Sequence, residues 1–496
     1  MYFPRTPTAQ QVRFHALHRP EAVALIDGDV RTTYAGLDRQ IAILWHAFQA
    51  LGLRNGETAA VSLAHLHHEL PALLACEELG VATLSFGHGE DDVAPFALAD
   101  HILADHPVPK RYADKQRDLS PDAFQSLLKT PLDEDAPKDL PGPDEPARII
   151  RTSGTTGIQK AIAVSREILA RRIGHCRANL SITRTTRYLI TYPFSVATSY
   201  HAACASLWAG GTVIKDRSSL VGGLTSHDPT LLIFLPRALY GVLETLPADF
   251  AKPPFLVVRT LGASLPPAIR ERLMERLATE VVEGYGTNET GAICEINARK
   301  VGMVIPGVEV GIVDQAGKPA GFGQLGLIRV RSRLVVDRYL DSAETTERHF
   351  KDGWFLTNDL GVMAGPRSLQ LLGRADDVVN IGGIKVMAPA LEERIIADAR
   401  IRDTGIAYLA DPTGNGILSV GIVLKEGAAV EDVTPGIEEL IEPVCKSFRI
   451  VVLPAVPRTA FGKLQRHILA NTIAEAFNAA KPVPAGKAKT GKRRKA

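Results

Sequence analysis

The chain has 496 residues, more than one compact core usually holds, so about two or three domains are expected. A hydrophobic content of 45% and a charged content of 23% are those of an ordinary globular protein. The net charge of +2 argues against nucleic acid as the main partner. No apolar run approaches the ~18–20 residues that cross a membrane.

Five cysteines are scattered along the chain without paired spacing, which favours a reducing compartment without disulfides or a zinc framework. The N-terminal stretch MYFPRTPTAQQVRF lacks the apolar core of a signal peptide. We therefore expect a cytoplasmic protein.

Residues 1–86 alternate helical and strand-like patterns. Apolar spacing predicts a helix over 34–51, then a buried strand over 58–63 and a second helix over 68–79. Strands that alternate with helices predict an α/β fold whose sheet has a substantial parallel part.

Three histidines, His65, His67 and His68, lie at the start of the second predicted helix and suggest a metal cluster as one interpretation. The neighbouring sequence offers no carboxylate or cysteine at ligand spacing, so we favour histidines without a metal.

A Pro-rich acidic connector over 131–146 leads into the loop RTSGTTGIQKAIA (151–163). Its glycines can turn successive backbone N–H groups into one concavity, and its hydroxyls and lysine add further donors. Such donors wrap polyphosphate oxygens. The predicted phosphate-binding residues are Thr152, Ser153, Gly154, Thr155, Thr156, Gly157 and Lys160.

The Walker phosphate loop, GxxxxGK[ST], is one alternative, but the spacing of Gly154, Gly157 and Lys160 does not fit it. A flexible Ser/Thr/Gly surface loop is the other. The lysine and the motifs farther along the chain argue against a plain surface loop.

After the loop, the pattern predicts a helix over 165–180 and then a strand, a polar turn, an apolar helix and a strand within 190–214. Buried strands are predicted at 231–236 and 255–266. Ligands collect at the ends of such strands in open α/β sheets.

Short strands and turns from Val310 onward predict a β-rich subdomain, and a small α+β domain is predicted over 379–472. The tail at 481–496 is basic and poor in hydrophobic residues, which predicts disorder. Contact of this tail with nucleic acid or anionic lipid is the alternative to a solvated tail, which we favour.

Four more motifs follow the loop in a fixed order, and each is weak alone. They are GYGTNETG (284–291), DGWFLTNDLG (352–361), LLGRADDVVNIGG (371–383) and PRTAFGKLQR (457–466). Five motifs in one order across more than half of the chain are a specific signal.

This ordered set resembles the adenylate-forming superfamily of acyl-CoA synthetases, peptide-synthetase adenylation domains and luciferases, roughly over residues 10 to 472. The resemblance implies a large N-terminal domain of sandwiched sheets and helices with a β-rich subdomain (1–372). It further implies a hinge (373–378) and a small mobile α+β domain (379–472). In such enzymes a carboxylate attacks the α-phosphorus of ATP, pyrophosphate leaves, and the acyl adenylate usually passes to a thiol.

The resemblance also assigns nucleotide-binding residues. The segment that lines adenine corresponds to Gly262, Ala263 and Ser264, and Tyr285 offers a ring for adenine to stack on, with core packing as the alternative. The rest of that motif contributes Gly286, Thr287 and Asn288.

The remaining roles also come from the resemblance. Glu289 helps to hold Mg²⁺, for which a carboxylate oxygen is a suitable ligand. Asp359 accepts hydrogen bonds from the ribose hydroxyls, with Arg374 as its helper. Lys463 bridges the substrate carboxylate and the α-phosphate, with an ordinary exposed lysine as the alternative. Asp376 is the hinge residue about which the small domain swings.

Three features depart from the usual pattern of the superfamily. Gln159 and Ala161 stand in place of Pro and Gly, Asn288 stands in place of Thr, and TND replaces TGD at 357–359. The chemically decisive residues remain, so we interpret these changes as drift.

The acyl pocket is predicted to involve Phe194, Ser195, Ser199, His201 and Gly284. Peptide-synthetase domains place an Asp after the Phe to pair with an amino group, whereas Ser195 stands there in this chain. An ammonium group without an anion is costly to bury, so an α-amino acid substrate is disfavoured. His201 has two interpretations, a pocket residue or a helix-surface residue.

The leading interpretation is a stand-alone ligase with ATP, Mg²⁺ and coenzyme A, because only a helix and the basic tail follow Lys463. Transfer of the acyl group to a carrier-protein thiol or an amine is the alternative. A nucleotide-binding regulator without catalysis is disfavoured because Glu289, Asp359 and Lys463 are all present. A nucleic-acid ligase would need its own lysine motif and a basic body.

Overall fold

The computed structural model describes residues 8–87, 94–132, 141–152, 160–314, 316–381, 384–410, 416–445, 447–458 and 464–479. The chain forms two compact units, residues 1–371 and 372–496. The hinge predicted for 373–378 and the mobility of the small domain stay predictions. The basic tail at 481–496 lies outside the described residues, and no helix in the described ranges is long and apolar enough to cross a membrane.

The first unit contains helices and strands in mixed order. Its α-helices are α1 (Thr8–His18), α2 (Tyr34–Ala50), α3 (Leu66–Leu79), α4 (Ala94–Ala97), α5 (Pro121–Leu127), α6 (Arg166–Asn179), α7 (Ala197–Ala209), α8 (Leu220–His227), α9 (Pro236–Thr245), α10 (Pro267–Arg276) and α11 (Ala343–His349). Its strands are β1 (Val23–Asp27), β2 (Val30–Thr33), β3 (Thr58–Ser62), β4 (Ala82–Ser85), β5 (His101–Ala104), β6 (Gln116–Asp118), β7 (Pro146–Thr152), β8 (Lys160–Ser165), β9 (Arg187–Leu189), β10 (Thr212–Lys215), β11 (Leu231–Phe234), β12 (Val257–Leu261), β13 (Glu280–Thr287), β14 (Gly291–Ile296), β15 (Gly302–Val304), β16 (Val308–Val313), β17 (Leu325–Ser332), β18 (Phe350–Lys351), β19 (Trp354–Gly365) and β20 (Ser368–Arg374), the last of which crosses the boundary between the units.

The larger sheet of this unit changes from parallel to antiparallel at β13. Its main path runs β16-β17-β19-β20-β15-β14-β13-β12-β11-β9-β10-β1-β2, with β18 paired to β19. From β13 to β1 the neighbours are parallel, whereas β13 and β14 are antiparallel. The GYGTNETG motif forms the turn between β13 and β14, so it lies where the parallel and antiparallel parts meet.

The second sheet has the order β6-β5-β3-β4-β7-β8. Its strands are parallel except for β7 and β8, which form an antiparallel hairpin with Thr152 opposite Lys160. The predicted phosphate loop is the connection of this hairpin.

Helices α3 and α6 lie between the two sheets, since α3 contacts β1 of the larger sheet and β3 and β4 of the second sheet, and α6 contacts β14 and β7. Helix α7 contacts β9 and β10 of the larger sheet, and its Tyr200 packs against Arg148 of β7. Nearly every residue of α3 is buried, and α7 is buried along most of its length. A helix that is apolar on all sides is stable only when it is covered on all sides. The predicted sandwich of sheets and helices is confirmed.

The second unit has a hairpin and a three-stranded sheet packed with helices. The hairpin is β21 (Val378–Ile381) with β22 (Ile384–Met387), and the sheet has the order β23 (Ile401–Ala410), β24 (Gly416–Leu424), β25 (Phe448–Val452). Its helices are α12 (Ala388–Ile395), α13 (Val430–Ile441) and α14 (Arg466–Ala479). The predicted α+β character is confirmed.

Most local predictions hold, with small shifts at the ends. The helix predicted for 34–51 is α2, but α3 begins at Leu66, before the predicted His68. The strand predicted at the start of 190–214 is instead β9, which ends at Leu189. Its parallel pairing with β10 decided this position.

Glu69 lies on α3 between the sheets and is 7% exposed. Burial raises the pKa of its carboxyl to about 7, while the charges of Lys215 and Arg148 oppose this rise. A carboxyl with a raised folded-state pKa stabilises the fold at low pH, and this contribution is lost as the pH rises through the folded-state pKa.

Replacing Glu69 with Gln should therefore raise the thermal stability relative to wild type increasingly between pH 4.5 and pH 7, and by a constant amount above pH 7. The gain at pH 8 should be on the order of 1–3 kcal/mol, because Gln resembles the protonated carboxyl. Melting temperatures measured from pH 4.5 to 8.5 test this, with the exposed Glu21→Gln as the matched control. A pH-independent difference would contradict the prediction.

Candidate active site

The β7–β8 hairpin holds both ends of the predicted phosphate loop. Thr152 is buried at the end of β7, and Lys160 opens β8 directly opposite. The other predicted phosphate-binding residues, Ser153, Gly154, Thr155, Thr156 and Gly157, lie outside the described residues. Thr152 and Lys160 thus define where the loop begins and ends.

A segment at 339–341 runs beside β8 and holds the exit of the loop. Tyr339 forms an antiparallel bridge with Ile162. The N–H of Leu340 donates to Ala161 O at 2.8 Å, and the N–H of Ala161 donates to Asp341 Oδ2 at 3.1 Å. No motif in the sequence pointed to this segment.

Tyr339 links Lys160 to Glu289. Its hydroxyl donates to Glu289 Oε1 at 2.8 Å, and Lys160 Nζ lies 5.1 Å from the centre of its ring. A cation over an aromatic face is attracted by the ring quadrupole. The structure therefore brings together two predicted residues, Lys160 and Glu289, through a third residue that sequence reasoning missed.

Glu289 has the chemistry of a magnesium ligand. Its Oε1 accepts a hydrogen bond from the Tyr339 hydroxyl. Carboxylate oxygens are the protein ligands that Mg²⁺ prefers. The residue fits the predicted metal role, which stays a prediction.

Arg172 of α6 fixes the backbone that carries Glu289. Its guanidinium donates to Asn288 O and Glu289 O, each at 2.9 Å, and twice to Leu334 O at 2.8 and 3.0 Å. Arg172 is 3% exposed, and burial lowers its pKa to about 10, which leaves it charged at neutral pH. A single arginine in a helix pattern gave no sign of this role.

Asn288, which stands where the superfamily usually has Thr, makes a bond of its own. Its Nδ2 donates to Arg151 O at 3.3 Å, at the end of β7. This bond ties the β13–β14 turn to the strand that enters the predicted phosphate loop. The Asn in place of the usual Thr therefore makes a specific contact in this structure.

Gly286 is required by the backbone of this turn. A Cβ there would lie 2.3 Å from Gly291 O, which no side chain can accept. Thr287 and Thr290 share hydrogen bonds between their hydroxyls and backbone. The predicted residues 286–288 therefore form a tight turn beside Glu289.

Asp359 is presented by a bulge in β19. Leu327 pairs with Leu360 and Arg329 with Leu356, so Ile328 alone faces residues 357–359. Bulges of this kind re-aim side chains at functional sites.

Tyr285 is 9% exposed, and its hydroxyl donates to Asp359 Oδ2 at 2.6 Å. Burial and the charge of Asp359 raise the pKa of Tyr285 far above its usual value. Its ring also packs with the apolar core of the antiparallel region. The structure brings Tyr285 and Asp359 together, and adenine stacking stays a prediction beside core packing.

Gly262, Ala263 and Ser264 follow the end of β12 and are exposed. Gly262 has a φ of +83°, a region that favours glycine. Ser264 Oγ accepts a hydrogen bond from Lys300 Nζ at 2.8 Å. These residues lie at the strand end where ligands usually bind.

The predicted acyl-pocket residues on the turn before α7 and on α7 are largely buried. Phe194 is 2% exposed, and its carbonyl accepts a bond from Arg148 Nη2 at 2.9 Å. Ser195 is partly buried and its Oγ has no partner among the described residues. Ser199 is fully buried and donates to Tyr192 O at 2.7 Å.

The helix-surface interpretation of His201 is wrong, because this residue is 8% exposed and lies on the buried part of α7. Burial lowers its pKa to about 3, and the charges of Arg172 and Arg148 add to this effect. His201 is therefore a neutral imidazole at pH 7. The sequence did contain a signal for this burial, because α7 (Ala197–Ala209) is apolar as a whole, and such a helix is usually buried.

Gly284 leaves room for Arg259, a residue that sequence reasoning did not select. A Cβ on Gly284 would lie 2.5 Å from Arg259 Nη2. Arg259 reaches across β13 to Glu295 Oε1 at 3.1 Å on β14. A guanidinium thus lies over the glycine that was predicted to line the acyl pocket.

In the second unit, Arg374 ends β20 and precedes a short 3₁₀ turn, Ala375–Asp377, on which Asp376 is exposed. Lys463 lies outside the described residues. Arg466, at the start of α14 in the same motif, bonds Asp377 Oδ1 at 2.7 Å. Arg466 is therefore held against the short turn that carries the predicted hinge residue, Asp376.

Comparison with known proteins gives a consistent family assignment. Residues 12–340 match the family model described as AMP-binding enzyme. The chain is 25% identical to a feruloyl-CoA synthase from Amycolatopsis sp over 441 residues, 83% of this chain and 87% of that protein. It is 27% identical to a sulfoacetate–CoA ligase from Cupriavidus necator over 481 residues, 88% and 92% of the two chains.

A solved structure has the same fold. It is the o-succinylbenzoate CoA synthetase from Bacillus subtilis in complex with its acyl-adenylate intermediate. The TM-score is 0.81 at 22% identity, and the match covers 94% of this chain and 98% of that one.

The two interpretations of Tyr285 predict different effects of substitutions at this residue on AMP binding. If adenine stacks on its ring, Tyr285→Leu should weaken AMP binding at least tenfold, because stacking on an aromatic ring contributes roughly 1–3 kcal/mol per base. Tyr285→Phe keeps the ring, loses the hydroxyl that donates to Asp359, and should weaken binding by a few fold. Calorimetric titration with AMP, alongside melting temperatures, separates the cases. Equal AMP affinity for the Leu and Phe variants, with a lower melting temperature for Leu, would mean that Tyr285 only packs in the core.

Proposed function

The chain belongs to the AMP-binding enzyme family, and from this premise we propose that it is an acid–thiol ligase that activates a carboxylic acid with ATP and transfers the acyl group to coenzyme A. In the first step, a carboxylate oxygen attacks the α-phosphorus of ATP and the bond to pyrophosphate breaks. In the second step, the thiolate sulfur of coenzyme A attacks the acyl carbon and AMP leaves. The relatives reported above bear the names of CoA ligases, which supports this acceptor.

The observation that carries the proposal is the convergence of Lys160 and Glu289 on Tyr339 beside the β7–β8 hairpin. Charge builds up on phosphate oxygens as pyrophosphate leaves. A lysine held beside the loop counters this charge without reorganising in the reaction. Glu289 would hold Mg²⁺ through its oxygens, and the ion would add positive charge at the phosphates when bound.

On the nucleoside side, Asp359 would accept hydrogen bonds from the ribose, and the donor Tyr285 orients its carboxylate. Arg374 would assist from the end of β20. Residues 262–264 would line the adenine.

The proposed acid lacks an α-amino group. Ser195 follows Phe194 where an Asp would be needed, and His201 on α7 is buried and neutral. The charges of Arg172 and Arg148 act on His201, and they would also repel an ammonium group. Transfer to a carrier-protein thiol is the alternative for the second step.

A panel of aliphatic, aromatic and sulfonated carboxylic acids, scored by ATP–pyrophosphate exchange, tests the first step. At least one acid should give Mg²⁺-dependent exchange, and addition of coenzyme A should then give a thioester. Absence of exchange with every acid would contradict the enzyme assignment. Exchange without a thioester, followed by acylation of a carrier protein, would change the acceptor.

Tyr339→Phe should raise the Mg²⁺ concentration that half-saturates exchange about tenfold, because a hydrogen bond to a charged group contributes on the order of 1.5 kcal/mol. The ring over Lys160 remains, so the KM for ATP should change little. Tyr339→Leu also removes the contact with Lys160 and should raise that KM as well.

The matched control is Tyr34→Phe, which removes a buried hydroxyl that donates to Gly211 O at 2.7 Å, away from these residues. It should leave the Mg²⁺ dependence unchanged. The same Mg²⁺ dependence in Tyr339→Phe and wild type would show that Tyr339 does not position Glu289.

The two steps should separate by mutation of the second unit. Lys463→Ala should slow adenylation by ~10²–10³-fold, as is typical of losing one donor to the transition state. Thioester formation from a supplied acyl adenylate should be much less affected. Asp376→Pro should do the reverse, because a fixed φ stiffens the proposed hinge.

Single-turnover assays measure the rates of adenylation and of thioester formation separately for these two variants. Equal impairment of both steps in Lys463→Ala would assign the lysine a structural role. Equal impairment in Asp376→Pro would remove the case for a hinge at this residue.

A further inference from the structure

Two histidines and an aspartate that are far apart in the sequence meet at one end of the sheets. His65 and His67 flank the first residue of α3, and Asp27 is the last residue of β1. The local sequence offered no carboxylate at ligand spacing, so histidines without a metal were the favoured interpretation. Packing of α3 against β1 supplies the missing carboxylate.

The three ligand atoms already lie near the spacing of a metal site. Asp27 Oδ2 is 2.8 Å from His67 Nδ1 and 3.6 Å from His65 Nδ1, and all three atoms lie within 4.8 Å of one another. Ligand atoms on a tetrahedral zinc ion are about 3.3 Å apart when the bonds are about 2.0–2.1 Å. Small side-chain movements would therefore complete the geometry.

Buried polar atoms around this cluster lack partners. The Asp27 side chain is 0% exposed, and its Oδ1 has no hydrogen-bond partner among the described residues. Both ring nitrogens of the neighbouring His68 are also buried and unpaired within the described part of the chain. Such atoms are costly unless a ligand or water satisfies them.

Two cationic side chains, Lys215 and Arg217, border the cluster, and they differ in how easily they can move away from it. Lys215 Nζ is engaged by Ala64 O at 2.8 Å. Arg217 is exposed, and its Nη1 donates to His65 Nδ1 at 2.8 Å. This arginine occupies the lone pair that a metal would use, and its exposed position allows it to swing into solvent.

We propose that Asp27, His65 and His67 form a binding site for one divalent transition-metal ion of the zinc class, with a water as the fourth ligand. His65 and His67 retain 23% and 16% side-chain exposure, which gives the ion and the water access. The ion replaces the His67–Asp27 hydrogen bond and displaces Arg217. It pins the end of β1 to the start of α3, a structural role separate from the proposed ligase chemistry.

Cobalt(II) titration of nucleotide-free protein, prepared without a polyhistidine tag, tests this site. Wild type should bind one ion per chain and show the visible absorption bands of four-coordinate cobalt, and zinc should abolish these bands by competition. Asp27→Asn and His67→Asn should weaken binding at least tenfold. His65→Asn should also weaken cobalt binding at least tenfold. Because His65 is partly exposed, this variant tests the site even if the Asp27 variant fails to fold.

Two further variants sharpen the result. His227 makes a similar pair with Asp216, Nε2 to Oδ2 at 3.1 Å, but no third metal-binding side chain joins this pair among the residues that the structure describes. His227→Asn should therefore leave cobalt binding unchanged. Arg217→Met should tighten binding several fold, because it removes both a competitor for His65 Nδ1 and a repelling charge.

The proposal is overturned if wild type binds no cobalt or zinc at micromolar concentration. It is also overturned if the cobalt bands persist in Asp27→Asn and His67→Asn, or if Arg217→Met weakens binding. Any of these outcomes leaves the cluster as a hydrogen-bonded network only.

Discussion

The candidate site depends on one buried charge, the guanidinium of Arg172. Burying a charge is costly unless hydrogen bonds compensate for the lost water. Arg172 obtains them from three backbone carbonyl oxygens, those of Asn288, Glu289 and Leu334. If either segment moved away, the buried charge would lose part of this compensation, so the β13–β14 turn and residue 334 are held together.

The segment that follows Leu334 carries this constraint to the phosphate loop. The N–H of Val336 donates to Glu289 O at 3.0 Å, and Tyr339 then reaches both Glu289 and Lys160. A lysine and a carboxylate of opposite charge are thus set on one aromatic side chain. Their positions are determined before any ligand arrives, which is the preorganisation that electrostatic catalysis requires.

Burial also sets the protonation states of side chains around the predicted acyl pocket. His201 stays neutral because it is buried near two arginines, while Arg148 remains buried with Thr83, Ser85 and the Phe194 carbonyl as hydrogen-bond partners. The buried groups near α7 therefore include a neutral imidazole and a hydrogen-bonded guanidinium, which agrees with the proposal of an acid without an ammonium group.

The sequence by itself determined the fold class, the order of the five motifs and the positions of α2, α3 and most parallel strands, because these depend on local periodicity and on glycine and lysine spacing. It identified Lys160, Glu289, Tyr285 and Asp359 but could not say that they meet in pairs. Tertiary structure alone decided the roles of Arg172 and Tyr339, the buried state of His201 and the approach of Asp27 to His65 and His67. These contacts join residues far apart in the chain, so they depend on how sheets and helices pack, and no local pattern records such packing.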